Sequence, residues 1–200
     1  MPAKRSAKIV RETKETKISV ELDLDGSGET SVSTGVGMLD HLVAQLGKHG
    51  VIDITLAAKG DLATDGHHTV EDVGLVLGEA LDEALGAREG IVRMADATVP
   101  LDEALATVAV DLNGRGYAVV DVAWTGERIG ELPVDMVSHL LWSFASAGKL
   151  TLNARVLAGV NDHHKAEALF KALGRAIGAA SRVDPRIKGA TPSTKGKLKA

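Results

Sequence analysis

The chain has 200 residues, 44% of them hydrophobic, enough for one substantial core or two small halves sharing one, and it reads as a single domain. A net charge of −4 with only 2% aromatic residues supplies neither the basic surface nor the stacking rings of a general nucleic-acid binder, which leaves a small molecule as the expected ligand. With no cysteine, any metal must be held by nitrogen and oxygen; with no apolar run near the roughly 18–20 residues that span a bilayer and no secretion-type start, a cytoplasmic location is expected.

In chain order, residues 1–7 are basic and polar and are expected to be loose. Ala7 to Leu24 alternates with period two, placing Ile18, Val20, Leu22 and Leu24 on one face, and Asp25-Gly26 signals a hairpin turn. A strand is expected near Thr30–Ser33. Helical spacing of Leu39, Leu42, Val43 and Leu46 predicts a helix over 38–48 with Gly50 as its stop, followed by a strand through Ile52, Ile54 and Leu56. The apolar positions of 67–85 cover more than one face, which predicts a long buried helix. Residues 91–122 read as three strands, broken at Pro100–Glu103 and at Asn113-Gly114-Arg115-Gly116. The order then repeats, with a helix over 135–147, a strand over 150–157, a long helix over 163–180 and a loop tail over 183–200. The reading is an α+β layered architecture built by internal duplication, with two sheets and four principal helices, its repeats covering about 8–90 and 91–182.

The histidines carry the chemistry. His67-His68-Thr69-Val70-Glu71 and His163-His164-Lys165-Ala166-Glu167 repeat one HHxxxE pattern, and a lone histidine, His41 or His139, precedes each. The offsets between halves are 96 and 98 positions. On a helix, residues three or four apart share a face whereas neighbours diverge by about 100°, so Glu71 can join His67 or His68 on one ion, but adjacent histidines do not serve the same ion. The set His41, His67, His68, Glu71, His139, His163, His164 and Glu167 gives four ligands to each of two ions and leaves two open positions on each octahedron. A nitrogen and oxygen shell with open positions points to Mn²⁺, Fe²⁺ or Co²⁺, with Mn²⁺ the choice made here. Paired histidines can also simply cap helices or satisfy buried contacts, a reading that two copies in register disfavour.

Lys171 follows Glu167 by one turn, where a cation suits an anionic substrate or forms an ordinary i,i+4 pair. Arg93, Arg115, Ser193 and Lys195 could add donors that match phosphate oxygens. Gln45 and His49 follow His41 by one and two turns; His49 either reaches a ligand held at His41 or complements the helix C-terminus. Glu12 and Glu15 read on pattern alone as exposed strand charges.

The segments DHLVAQLGKHG (40–50), HHTVEDVGLVLGEAL (67–81), DHHKAEALFKALGRAI (162–177) and PSTKG (192–196) resemble those of the imidazoleglycerol-phosphate dehydratase family, and the likeness runs over roughly 8–196. It implies elimination of water from imidazole glycerol phosphate to give imidazole acetol phosphate in histidine biosynthesis, with the substrate ring held as an imidazolate between two Mn²⁺ per active site. It implies that the eight residues above are the metal ligands and that Glu15 is an acid/base, with Gln45 and His49 near the substrate. Asp102 is implied as a further proton-relay candidate, and Arg93, Arg115, Lys171, Ser193 and Lys195 as phosphate contacts. It also implies a four-helix bundle between two four-stranded mixed sheets, and a homo-oligomer, of 24 subunits in well-known members, whose active sites are completed by neighbouring chains. Two departures stand out. Gly66 replaces a polar residue before the first histidine pair, and Gly116 replaces the proline of a GRP turn, which predicts a looser seat for Arg115. The competing readings are another binuclear enzyme such as a phosphoesterase, which would need more carboxylate than this histidine-dominated set, and a noncatalytic metal-binding protein, which would need no phosphate cluster.

Overall fold

The computed structural model describes residues 4–187, 189–196 and 198. The period-two run near the N-terminus forms two strands instead of one: β1 (Ser6–Glu12) and β2 (Thr16–Asp23) pair antiparallel around Thr13–Glu15. Thr13 makes the break, since its Oγ1 accepts the N–H groups of Glu15 and Thr16 at 3.1 and 3.0 Å, a local bond that favours a turn over a strand. Ser6 and Ala7, expected to be loose, are therefore strand residues; residues 1–3 lie outside those described. β3 (Thr30–Ser33) does not form a hairpin with β2. It runs parallel to β4 (Asp53–Gly60), in the order β1-β2-β4-β3, and the crossover that a parallel pair requires contains α1 (Gly37–Gly50). After β4 comes α2 (His67–Leu85), with the bounds that the spacing predicts.

The second half repeats this order. β5 (Met94–Leu101), β6 (Ala104–Asp111), β7 (Tyr117–Asp121) and β10 (Thr151–Ala158) form a sheet in the order β5-β6-β10-β7, with α3 (Val134–Ala147) in the crossover and α4 (Asp162–Ser181) at the end. The sequence reading misses a short ribbon, β8 (Arg128–Ile129) with β9 (Leu132–Pro133), and a single 3₁₀ turn at Pro185–Ile187 in the tail. Of the tail, Lys188, Lys197, Lys199 and Ala200 lie outside the described residues.

The four helices lie between the two sheets. α2 packs on β1 and β2, α4 on β5 and β6, and the layers meet through the pairs α1–α4 and α2–α3. Ile18, Val20, Ile54 and Leu56 from one sheet and Val108, Leu152 and Ala154 from the other are buried against them, and each large aliphatic residue so buried contributes about 1.5–3 kcal/mol. No described helix is long and apolar enough to cross a membrane.

Glycines bring the helix pairs together backbone to backbone. A Cβ on Gly174 would stand 2.4 Å from the Leu46 carbonyl oxygen of α1, and one on Gly78 would stand 2.5 Å from that of Phe144 on α3. Gly50 is likewise a contact residue, 2.9 Å from the Gly174 carbonyl oxygen when a Cβ is added. That explains why it does not stop α1: Gly50 stays helical, and Val51 takes the left-handed conformation at φ 58°. Gly78 and Gly174 are 96 positions apart and Gly50 and Gly148 are 98 apart, the offsets already seen for the histidines.

Candidate metal centre

The histidine pairs begin α2 and α4, yet other side chains take the N–H groups at those helix starts. Asn161 Oδ1 accepts the N–H groups of His163 and His164 at 2.9 and 3.4 Å, and Asp65 Oδ1 accepts that of His67 at 2.8 Å. The rings are left for other work. On α4, Glu167 Oε2 lies 3.1 Å from His163 Nε2 one turn back and 3.0 Å from His41 Nε2 on α1. On α2, Glu71 Oε2 lies 3.6 Å from His67 Nε2 and 3.6 Å from His139 Nε2 on α3. Each cluster therefore gathers two imidazole nitrogens and one carboxylate oxygen within 4.8 Å of one another, drawn from both repeats across a helix pair brought together by glycine.

These triads suit a divalent ion. Ligands bonded at about 2.1 Å and set at right angles stand about 3 Å apart, which is close to the spacing here. His139 Nε2 is buried without a hydrogen-bond partner, an electron pair that a cation would satisfy. Burial opposes ionisation of Glu167, but Lys171 and His41 outweigh it and hold the carboxyl at about 2, so its anionic form is secured.

Six of the eight expected ligands thus come together, while His68 and His164 do not join them. Their rings stand nearly perpendicular to those of His67 and His163, at 82° and 85°, and adjacent helical positions send the two side chains to different faces. Among the described residues the expected four donors per ion do not come together; each triad has three. His68 Nδ1 lies 3.0 Å from Asp61 Oδ2, with Glu15 Oε2 at 3.9 Å. His164 Nδ1 lies 2.7 Å from Glu103 Oε2, with Asp102 Oδ2 3.8 Å from its Nε2. The Asp61 and Glu103 hydrogen bonds raise the pKa of His68 and His164 respectively, and the His164 bond, followed by the Asn161 N–H, lowers Glu103 to about 2. Sequence reasoning missed Asp61 and Glu103. The available signal for Glu103 was its place in the β5–β6 turn, the counterpart of the β1–β2 turn that carries Glu15.

Gln45 and His49 extend along α1 from His41. Burial lowers the His49 pKa, and the cations Lys171 and Arg175 lower it further. Lys171 Nζ donates to Glu167 Oε1 at 2.8 Å, so it belongs to the edge of the triad.

A separate cleft of about 640 Å³ is lined by Arg93, Asn113, Arg115, Ser193, Thr194 and Lys195. Asp111 grips Arg93 with both oxygens, at 2.7 and 2.9 Å, and Arg93 Nη1 donates to the Pro192 carbonyl at 2.7 Å, so Arg93 ties the tail to the sheet. The Arg115 turn is tied as well: Asn113 Oδ1 accepts the Arg115 N–H at 2.8 Å, and Gly116 lies so close to Ser146 that a Cβ would come within 2.7 Å of its backbone. Glycine here permits close packing, and the looser seat expected for Arg115 is not what this geometry provides.

Two mirrored histidine–carboxylate triads and a separate cationic cleft narrow the field, and comparison with known proteins decides it. The family model for imidazoleglycerol-phosphate dehydratase matches residues 34–177. The chain belongs to the imidazoleglycerol-phosphate dehydratase family. It is 58% identical to the imidazoleglycerol-phosphate dehydratase of Dehalococcoides mccartyi strain 195 over 98% of both chains, and 54% identical to that of Roseiflexus sp. over 99% of this chain and 100% of the other. Among solved structures of the family, the Pyrococcus furiosus enzyme in complex with (S)-C348 superposes with a TM-score of 0.82 at 34% identity, covering 95% of this chain and 100% of that one. The Staphylococcus aureus enzyme gives 0.81 at 29% identity over 90% and 99%. The fold expected from the likeness, four helices between two four-stranded mixed sheets, is the fold found.

Proposed function

We propose that the chain is a manganese-dependent lyase that eliminates water from imidazole glycerol phosphate to give imidazole acetol phosphate in histidine biosynthesis. The observation that carries this reading is the repeated triad of two Nε2 atoms and one carboxylate oxygen, present twice in one chain of this family. Bound at such a site, manganese would supply Lewis acidity that eases loss of the substrate's ring N–H proton, and the electron pair left on the imidazolate would help expel the hydroxyl. His41, His163 and Glu167 would hold one ion, and His67, Glu71 and His139 the other. Glu15, beside His68, is the proposed acid/base; Asp102, beside His164, is a second proton-relay group. Gln45 and His49 orient the substrate, Lys171 adds positive charge at the triad edge, and Arg93, Arg115, Ser193 and Lys195 receive the phosphate.

The geometry supports active sites shared between chains. The cleft lies by the C-terminal end of α4, where the Arg93 N–H donates to the Ala180 carbonyl, whereas Glu167 stands thirteen residues earlier on that helix. At 1.5 Å per residue the separation along the axis is about 20 Å. A five-membered ring, three carbons and a phosphate span only about half of that, so one substrate cannot use the cleft and the His41–Glu167 triad of one chain. His68 and His164, which lie outside both triads, support the same reading, since each would complete a triad on another copy. The family likeness, not this geometry, supplies the proposed size of 24 subunits for the homo-oligomer, and the proposed location is the cytoplasm. Each chain would be one domain of two repeats, about 8–90 and 91–182, with a phosphate-binding tail over 183–200.

Metal-stripped protein refilled with Mn²⁺ should regain turnover of imidazole glycerol phosphate, followed as ketone formation; folded, Mn²⁺-loaded protein without turnover would refute the assignment. Release of inorganic phosphate in place of ketone would favour the phosphoesterase reading. Lys195→Ala should raise KM about ten- to hundredfold, because one charge-assisted hydrogen bond is worth about 1.5–3 kcal/mol. Steady-state kinetics check this, and an unchanged KM would remove the cleft from substrate binding.

A further inference from the structure

We propose that Asp61 and Glu103 are positioning residues that fix the rings of His68 and His164 so that each presents Nε2 outward, as the fourth donor for a triad on a neighbouring copy. The inference rests on the metal-site reading above and assigns the two carboxylates that reading leaves unexplained.

In each half, the first histidine of the pair aims Nε2 at the glutamate of its own triad, and the second turns away and donates through Nδ1 to a carboxylate. A ring that donates from Nδ1 keeps its electron pair on Nε2, and a carboxylate partner both fixes the ring plane and raises its basicity. The two carboxylates are not duplicates of each other. Asp61 follows β4 directly, while Glu103 lies in the β5–β6 turn; the residue after β10 that corresponds to Asp61 is Gly159. Different elements thus deliver the same contact to equivalent histidines, an arrangement that duplication alone does not produce.

Glu103 is itself held in place. Its Oε1 accepts the N–H groups of Val160 at 3.2 Å and Asn161 at 2.8 Å, leaving Oε2 aimed at His164. Asn161 in turn caps α4, so the carboxylate is anchored to the same helix start that carries the histidine. Asp61 Oδ2 takes the His68 bond, and its Oδ1 is buried without a partner. The unmet Oδ1 carries a desolvation cost, and the side-chain bond set against it is the one to His68.

The test is the Mn²⁺ binding isotherm of metal-stripped, full-length protein in competition with a chelator, for wild type, Glu103→Ala, Glu103→Gln and Asp61→Asn, with the melting temperature of the metal-free forms read alongside. Wild type should bind two equivalents per chain. Glu103→Ala should weaken one equivalent about 10–100-fold and leave the other, and Asp61→Asn should weaken the opposite one. Glu103→Gln, which still accepts a hydrogen bond, should fall between wild type and alanine. Metal-free melting should be close to wild type for Asp61→Asn even if Glu103→Ala loosens the start of α4. Two equivalents of native affinity in both Asp61→Asn and Glu103→Ala, or an equal loss of both equivalents in step with melting, would overturn the positioning role. A wild-type protein that fails to bind two Mn²⁺ would instead bring down the metal-site reading on which it rests.

Discussion

On the proposed two-manganese reading, Glu167→Gln is expected to release one ion and to lower turnover about a thousandfold. Glu167 Oε2 faces both His41 and His163, and its Oε1 holds Lys171. Glutamine keeps the shape but removes the negative charge, leaving Lys171 unpaired beside the ion, so that two of the site's electrostatic supports are lost together. If a bound ion supplies several kcal/mol of transition-state stabilisation, then at about 1.4 kcal/mol per tenfold its loss costs about three orders of magnitude in kcat. Elemental analysis of the purified variant should give one Mn²⁺ per chain where wild type gives two, with folding checked by circular dichroism. Retention of two ions with turnover within tenfold of wild type would show that Glu167 is only the surface partner of Lys171.

What the sequence disclosed follows from which interactions are local. The histidine–glutamate spacing needs only helix geometry, so a histidine–glutamate pair on each long helix was legible, as were the bounds of α2, but not which of the two adjacent histidines faces the glutamate. That His41 joins α4 and His139 joins α2 depends on which helices cross, which no local pattern records. The split of β1 from β2 was missed because period-two alternation runs through Thr13, and only the threonine's own backbone bonds break it. Asp61 and Glu103 escaped notice because their partners are seven and 61 residues away and their own surroundings read as ordinary turns. The seat of Arg115 depends on Gly116 meeting the Ser146 backbone, a contact set by the position of α3 against β7. His68 and His164 share the pattern of the triad histidines, yet they lie outside both triads and bond to Asp61 and Glu103, a separation that the pattern alone does not record.

Gly174→Ala and Gly78→Ala are each expected to destabilise the protein and to disturb only the triad built on the same helix pair. By helix propensity alone alanine would gain about 1 kcal/mol in either position. Against that, the added methyl on residue 174 would lie 2.4 Å from the Leu46 carbonyl oxygen and 3.0 Å from the Gly50 nitrogen, and on residue 78 it would lie 2.5 Å from the Phe144 carbonyl oxygen and 2.7 Å from the Gly148 nitrogen. These are backbone atoms, which cannot swing aside as a side chain would, so the helices must separate. Overpacking of this kind costs about 1–3 kcal/mol, which in a domain of this size lowers Tm by several degrees. The separation falls where the donor distances are set: Gly174 lies two turns from Glu167 on α4, so Gly174→Ala should weaken the ion held with His41, while Gly78→Ala, two turns from Glu71's end of α2, should weaken the ion held with His139. Gly66→Ala is the control, since a Cβ there meets nothing within 4 Å and its φ of −90° suits any residue. Thermal melts of metal-free protein with Mn²⁺ isotherms measure both effects. Melting temperatures for the two helix-contact variants equal to that of Gly66→Ala would show that the close approach of α1 to α4 and of α2 to α3 does not set the spacing of the metal donors.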